Sequence, residues 1–176
     1  MSKESTVDSE IVFGIISPIG TDTKDAIEQL KDHIRKFRYR VEEIKVSSDI
    51  ISLFDDNERY YKHEGQRIKH YMDLGNKVRE SADNAILMKG VSSIIHKKRN
   101  DEVGLAPRNR VAYVINSIKH PDEIKFLRNT YGVGFHLIGI SSTVEMRRSY
   151  LVDQKKPSSY HRPLASLLGI GLHKDG

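Results

Sequence analysis

The 176-residue sequence contains no cysteine and no long apolar run. The lack of cysteine excludes a disulfide framework and any zinc site that needs thiolate ligands. No apolar run approaches the roughly 20 residues that a membrane-spanning helix needs. The opening segment, MSKESTVDSE, is polar and acidic, unlike a signal peptide. We therefore expect a cytoplasmic protein that does not enter a membrane.

What the sequence does have is apolar material for one core and a strongly charged surface. Hydrophobic residues make up 38% of the chain and charged residues 30%. The length fits one domain, or one domain with a tail. The formal net charge of +5 suits phosphate-bearing ligands, RNA or DNA. A soluble surface with a modest lysine excess explains the same charge equally well.

Composition divides the chain into three parts. Residues 1–9 are predicted as a disordered lead-in and residues 10–152 as a folded domain. Residues 153–176, with Pro157 and Pro163, are predicted as a linker or tail.

Short apolar runs alternate with amphipathic segments within the predicted domain. Two runs, 11–16 and 111–115, have the continuous apolar character of buried parallel strands. Residues 39–46 and 135–140 are predicted as further strands. The first helix is predicted from apolar residues at helical spacing: Ala26, Ile27, Leu30, Ile34 and Phe37. Further helices are predicted over 66–79, 81–98 and 143–151 and after Pro121, with a loop over 99–109. This order predicts an α/β fold with a mainly parallel sheet and helices on both faces.

The loop after the first strand is the first candidate binding segment, because ligands of such sheets bind beyond the carboxyl ends of the strands. A phosphate-binding loop, GxxxxGK followed by Ser or Thr, uses glycines, a lysine and a hydroxyl. Laid on the pattern of small nucleotide kinases, Gly14 and Gly20 match, whereas Asp22, Thr23 and Lys24 replace a glycine, the lysine and the hydroxyl residue. The layout resembles a three-layer P-loop nucleotide-kinase fold with a degenerate loop.

Two interpretations of this loop stay open. The loop still binds a nucleotide or another anion through the N-terminus of the following helix. Alternatively, it is only a tight turn, with Gly20 at the bend and Asp22 or Thr21 capping the helix. The candidate nucleotide-binding residues here are Gly14, Ser17, Pro18, Gly20, Thr21, Asp22, Thr23 and Lys24.

Three residues farther along complete the candidate site. Asn116 ends a predicted strand at a position where small kinases often carry an acidic group near Mg²⁺. Arg147 and Arg148 lie on the last helix, where small kinases use arginines to clamp phosphates. A strand-end Asn and a solvated basic helix face explain the same residues without a ligand.

Other polar clusters have equally ordinary explanations. Residues 96–99, His-Lys-Lys-Arg, either contact RNA or end a helix with favourable cations. A polar helix carries Arg67, His70, Tyr71 and Arg79, which either edge the cleft or face solvent. Tyr60 and Tyr61 either stack on a base or belong to a loop.

Four segments together resemble a known family. They are EIVFGIISPIGTD (10–22), GQRIKHYMDLGNKVR (65–79), RVAYVINSIKHPDEIKFLRNTYG (110–132) and FHLIGISSTVEMRRSYL (135–151). They are similar to the N-terminal kinase-like domain of bacterial anti-phage deoxycytidylate deaminases. The third segment is also similar to dephospho-coenzyme A kinases.

The resemblance implies a role in nucleotide-depletion defence. The family's full-length members deaminate dCMP or dCTP, and their N-terminal domain is expected to sense a nucleotide or to take part in inhibition by a regulatory RNA. The implied ligand is ATP or a deoxynucleotide, with or without Mg²⁺. The implied partners are a C-terminal deaminase domain or that RNA, and the helices over 66–98 are long enough to pair with a second copy.

The chain departs from the full-length family at the zinc motif. That motif, H-x-E with P-C-x-x-C, needs cysteine, and neither His161 nor His173 has Glu two residues later. We therefore expect no deamination by this chain alone. The leading hypothesis is a non-catalytic nucleotide-binding regulatory module; the alternatives are an active nucleotide kinase, with Lys24 or a remote lysine replacing the missing one, and an RNA- or protein-interaction module.

Overall fold

The computed structural model describes residues 9–55, 61, 64–104 and 106–153. Almost all of the predicted lead-in (1–9) and tail (153–176) lies outside the described residues, as do Tyr60, His161 and His173. The strands are β1 Ile11–Ile16, β2 Arg40–Lys45, β3 Val111–Ile118 and β4 Phe135–Gly139. The helices are α1 Lys24–Lys36, α2 Glu64–Ser81, α3 Ile86–Val103, α4 Pro121–Tyr131 and α5 Val144–Asp153.

The four strands form one parallel sheet in the order β2-β3-β1-β4. The central strands β1 and β3 are largely buried because a parallel sheet is covered on both faces, whereas β2, at one edge, is mostly half-buried. Alternate residues of β3 point to opposite faces, so Tyr113 and Ile115 enter one core while Ala112 and Val114 enter the other. The predicted α/β class and parallel sheet are confirmed.

Helices cover both faces of the sheet. On one face, α2, α3 and α4 pack through Val78, Leu87, Val91, Ile95 and Leu127. On the other face, α1 packs through Ile27 and Ile34. The arrangement is three-layered, with the larger core beneath the three-helix layer.

The chain leaves β1 and β3 in opposite directions. β1 leads through α1, on one face, to β2 at one edge of the sheet. β3 leads through α4, on the other face, to β4 at the opposite edge. Because β1 and β3 are neighbours, a crevice is expected between their carboxyl ends, which is where open α/β sheets bind ligands.

Two details of the first helix differ from the prediction. Ala26 and Phe37 are exposed, and Phe37 lies just beyond the helix as its C-cap residue. Lys31 takes the inner position instead and is buried. Its ammonium makes ion pairs with Glu28, at 2.8 Å, and with Glu43 of β2, which satisfies the buried charge.

Between β2 and α2 the chain forms two short helical turns, and the third helix differs from its prediction. Val46–Ile50 forms a π-helical turn and Ile51–Phe54 a 3₁₀ turn. Ile50 and Ile51 are buried, whereas Leu53 and Phe54 are exposed. The helix predicted over 81–98 begins at Ile86 and extends to Val103, so the predicted loop over 99–109 is wrong for its first five positions. The helix is extended by Arg99 and Glu102, whose charges are paired with other elements.

None of the helices in the described ranges combines the length and the apolar character needed to cross a bilayer.

Candidate functional site

A cavity of about 340 Å³ opens at the carboxyl ends of β1, β2 and β3. The end of β3 and the segments that follow the three strands line it with Ser17, Pro18, Ile19, Gly20, Thr21, Thr23, Val46, Ser47, Ile51, Asn116, Ser117 and Lys119. Helices α2 and α5 contribute Arg67, Ile68, Tyr71, Met72, Asn76, Arg79, Tyr150 and Leu151. The cavity therefore lies at the crevice between β1 and β3.

The loop after β1 is a tight turn that packs against α5. The Thr21 N–H donates to the Pro18 carbonyl at 3.2 Å, and Gly20 has a φ of +81°. A positive φ at the third position is what a type II turn requires. A Cβ at position 20 would lie 2.8 Å from the Arg147 carbonyl oxygen. Gly20 therefore serves both the bend and the close approach of α5.

The start of α1 is capped by the chain's own carboxylate. The N-cap residue is Thr23, whose side chain makes no capping hydrogen bond. Of the two residues predicted to cap the helix, Thr21 and Asp22, it is Asp22 that accepts a first-turn N–H, from the position before the N-cap. The Lys24 N–H donates to Asp22 Oδ1 at 3.0 Å. Because Asp22 accepts a first-turn N–H, it holds a place where an anionic ligand would otherwise sit.

The structure brings together six of the eleven candidate residues. Those that line the cavity are Ser17, Pro18, Gly20, Thr21, Thr23 and Asn116. Gly14, Asp22 and Lys24 do not line it. Gly14 lies within β1, where a Cβ would be 2.4 Å from Ile118 Cδ1, so its role is close packing.

The two arginines of α5 also lie outside the cavity lining. Arg147 Nη1 donates to the Ile19 carbonyl at 3.5 Å, which ties α5 to the loop. Its Nε is buried without a hydrogen-bond partner among the described residues. Arg148 is exposed.

Lys119, which follows β3, lies beside the loop. Sequence reasoning did not identify this cation. Its Nζ donates to the Ser17 carbonyl at 2.8 Å. Although much of the residue is exposed, burial around its ammonium lowers its pKa; the charge of Arg79 lowers it further and that of Glu123 opposes the change. A desolvated ammonium beside the loop is suited to an anionic ligand.

Arg79 of α2 is held in place by a fully buried carboxylate. Glu123 Oε1 accepts from Arg79 Nη2 at 2.7 Å and from Nε at 3.0 Å. Glu123 Oε2 accepts the N–H groups of Lys119 and His120, at 2.8 and 3.0 Å. One carboxylate thus fixes both a cavity arginine and the backbone that carries the cavity lysine.

Aromatic and apolar groups of α2 line another part of the cavity. The guanidinium of Arg67 lies 5.7 Å from the centroid of the Tyr71 ring, a cation–π arrangement. Ile68 and Met72 lie on the same helix. The open question of whether this helix edges the cleft is answered for Arg67, Tyr71 and Arg79, whereas His70 binds Asp55 at 2.7 Å instead.

The end of β3 is irregular where it meets the cavity. Asn116 Nδ2 donates to Glu43 Oε1 at 3.0 Å. Burial alone raises the pKa of Glu43, but hydrogen bonds from Lys31 and Asn116 and the charge of Lys31 outweigh it, so the pKa is lowered. Ser117 has a φ of +86°, beside a shift in the pairing of β1 and β3. Backbone strain of this kind is often found at binding sites.

The lining as a whole has a cationic part and an apolar part. Three cationic side chains contribute to it, and among the described lining residues there is no carboxylate. The described residues contain no group of three His, Asp or Glu side chains arranged to hold a metal ion. No protein-family model matches the chain, and no curated protein sequence matches it significantly. What the cavity can bind therefore follows from its own lining.

The basic cluster over 96–99 is divided by the fold. Arg99 pairs with Glu10 and Lys98 with Glu42, at 2.8 Å for the second pair. His96 and Lys97 remain exposed and line a shallow groove between α3 and α4. Two of the four residues therefore stabilise the amino ends of the strands.

Proposed function

We propose that the chain binds a nucleotide in the cavity between β1 and β3 and acts as a regulatory module. The observation that carries the proposal is the set of three cations, Arg67, Arg79 and Lys119, in a lining whose described residues include no carboxylate. Like charges that face one cavity repel one another, so such a set favours an anionic occupant.

The shape and the apolar part of the lining also support a nucleotide. A volume of about 340 Å³ is at the lower end of the range for small-molecule sites, which begins at roughly 300 Å³. Tyr71, Ile68 and Met72 offer apolar contact to a base or sugar while the cations contact phosphate. A ligand with one anionic end and one flat end fits both parts.

The regulatory part of the proposal comes from the resemblance to the N-terminal domain of anti-phage deoxycytidylate deaminases. In that role, the chain senses a deoxynucleotide and signals to a deaminase domain or a regulatory RNA. The loop supports a non-catalytic module, because Thr23 stands in place of the phosphate-binding lysine.

Phosphoryl transfer is the second candidate function, and Lys119 favours it. Its ammonium lies beside the loop, 2.8 Å from the Ser17 carbonyl, and so offers the remote lysine that an active kinase of this kind needs. Formation of ADP from ATP with a panel of deoxynucleotides tests this candidate directly.

Thermal unfolding with ATP, dATP, dCTP, dCMP and dTTP, each with and without Mg²⁺, tests the proposed function. A ligand at 100 times its dissociation constant adds about 2.7 kcal/mol to the free energy of unfolding, which raises the midpoint visibly. We expect at least one nucleotide to do so. A Mg²⁺-dependent shift with ATP alone would favour the kinase instead.

A matched pair of lysine variants locates the binding. Lys119→Met removes a cavity cation, whereas Lys24→Met removes an exposed lysine outside the cavity lining. We expect the nucleotide-induced shift to be lost in the first variant and kept in the second. If no nucleotide stabilises the protein and RNA is retained in a salt-sensitive manner, the RNA-binding hypothesis replaces this one.

A further inference from the structure

We propose that the cavity is selective for nucleoside monophosphates and binds the phosphate between Lys119 and Arg79, not at the N-terminus of α1. This inference rests on the proposed function and concerns which nucleotides the site prefers. It follows from where the carboxylates and the cations lie around the loop.

The N-terminus of α1 is arranged against a polyphosphate. Asp22 Oδ1 already accepts the Lys24 N–H at 3.0 Å. Asp25 adds a second exposed carboxylate in the first turn. A phosphate chain extended toward this helix would meet two negative charges and would compete with Asp22 for the first-turn N–H.

The cations lie at the end of β3 and on α2, not in the first turn of α1. Lys119 Nζ donates to the Ser17 carbonyl at 2.8 Å, which uses one of the three donors of an ammonium group. Arg79 contributes a guanidinium whose position is fixed by Glu123, with Nη1 3.4 Å from Asn76 Oδ1. A phosphate bound here would lie close to both residues.

The net charge of this cation pair matches one phosphate group better than three. The carboxylate of Glu123 reduces the two positive charges of Lys119 and Arg79 to one. A phosphate monoester carries about −1.5 to −2 charges at neutral pH. A triphosphate brings more negative charge than one phosphate and usually shares it with Mg²⁺. The described lining offers hydroxyl groups but no carboxylate to hold that ion.

Comparing the mono-, di- and triphosphate of one nucleoside tests the selectivity for the monophosphate. Calorimetric titration of the full chain with dCMP, dCDP and dCTP, and with dAMP, dADP and dATP, is performed in EDTA and again with Mg²⁺. For the base that binds, we expect the monophosphate to bind about tenfold or more tightly than the triphosphate, a difference of about 1.4 kcal/mol. Mg²⁺ should not reverse this order.

Asp22→Asn separates the two possible phosphate positions. Asparagine keeps a hydrogen-bond acceptor for the Lys24 N–H but removes the charge. We expect this variant to bind the triphosphate more tightly and the monophosphate as before. Lys119→Met should weaken monophosphate binding about tenfold or more, and Lys24→Met should leave it unchanged.

Three results would overturn the inference. Tighter, Mg²⁺-dependent binding of the triphosphate, or loss of binding in Lys24→Met, would place the phosphates at α1 and leave nucleotide binding itself intact. Equal affinity for the mono-, di- and triphosphate would remove the selectivity alone. Absence of binding by every nucleotide of both series would overturn the selectivity and the proposed function together.

Discussion

At the amino ends of the strands the protein pairs its cations with its own carboxylates, whereas at the carboxyl ends it gathers cations around a cavity. At the amino ends, Arg108 donates to Glu42 at 2.7 Å and to the Tyr113 hydroxyl at 2.9 Å, and it also pairs with Glu102. Arg99 pairs with Glu10 on the neighbouring side. The network joins β1, β2, β3 and α3.

The carboxyl ends carry a different arrangement. Of the three cations that line the cavity, Arg79 has a buried carboxylate partner, Glu123. Lys119 hydrogen bonds to a backbone carbonyl rather than to a carboxylate. The amino-end network therefore contributes to the stability of the fold, whereas under the proposed function the carboxyl ends hold charge for a ligand.

Of the variants that test this comparison, Arg108→Met should cause the largest loss in the free energy of unfolding. The Arg108 side chain is 6% exposed, and its loss leaves Glu42, Glu102 and the Tyr113 hydroxyl without this partner. Removing one partner of a buried ion network costs about 3–5 kcal/mol, and we expect a loss of that size in the free energy of unfolding, measured in urea.

Arg35→Met is the matched control. Arg35 pairs with Asp32 at 2.8 Å on the surface of α1, and both side chains are more than half exposed. Such pairs contribute about 1 kcal/mol or less. Equal losses in the two variants would contradict the assignment of the amino-end network to stability.

Gly20→Ala tests the loop that borders the cavity. The substitution combines a positive φ with a Cβ 2.8 Å from a carbonyl oxygen of α5. Gly132 also has a positive φ, but a Cβ there would have nothing within 4 Å. We expect losses of about 2–4 kcal/mol for Gly20→Ala and about 1–2 kcal/mol for Gly132→Ala in urea unfolding. Similar losses of stability in the two variants would mean that α5 can move away from the loop at little cost in free energy.

Lys119→Met should have the smallest effect on the free energy of unfolding, and it should raise that free energy where the other variants lower it. Burial lowers the pKa of Lys119 below its ordinary value of 10.5, so its charge destabilises the fold at neutral pH. We expect the variant to be more stable by about 0.5 kcal/mol or less. In the unfolded state Lys119 keeps its proton to a higher pH than in the folded state. The stability advantage of the variant should therefore shrink as pH rises through the folded-state pKa toward 10.5. A variant clearly less stable than the natural chain, measured by urea unfolding from pH 7 to 10, would contradict the comparison.

The strands and α4 were predictable because their signals are local. Continuous apolar runs marked β1 and β3, and Pro121 marked the first turn of α4. The end of α3 was not predictable, because its residues are polar. They stay helical because their charges pair with residues that are distant in the sequence. Arg99 pairs with Glu10, 89 positions away.

The loop at the candidate site was predictable from its position after β1, but the cations were not. Lys119 and Ser17 are 102 positions apart and meet only because β3 is the neighbour of β1. Nothing in the local sequence gives that strand order. Arg79 entered the cavity lining through the packing of α2 on the sheet, which sequence spacing left open.

Gly14 packs so closely against two other core residues that the three positions should vary together in related sequences. A Cβ there would lie 2.4 Å from Ile118 Cδ1 and 2.9 Å from Phe135 Cε2. A methyl group at position 14 therefore requires the side chains at 118 and 135 to shift or to be smaller. Among chains descended from a common ancestor with this one, residues 14, 118 and 135 should co-vary, with a larger residue at one position accompanied by a smaller residue at another.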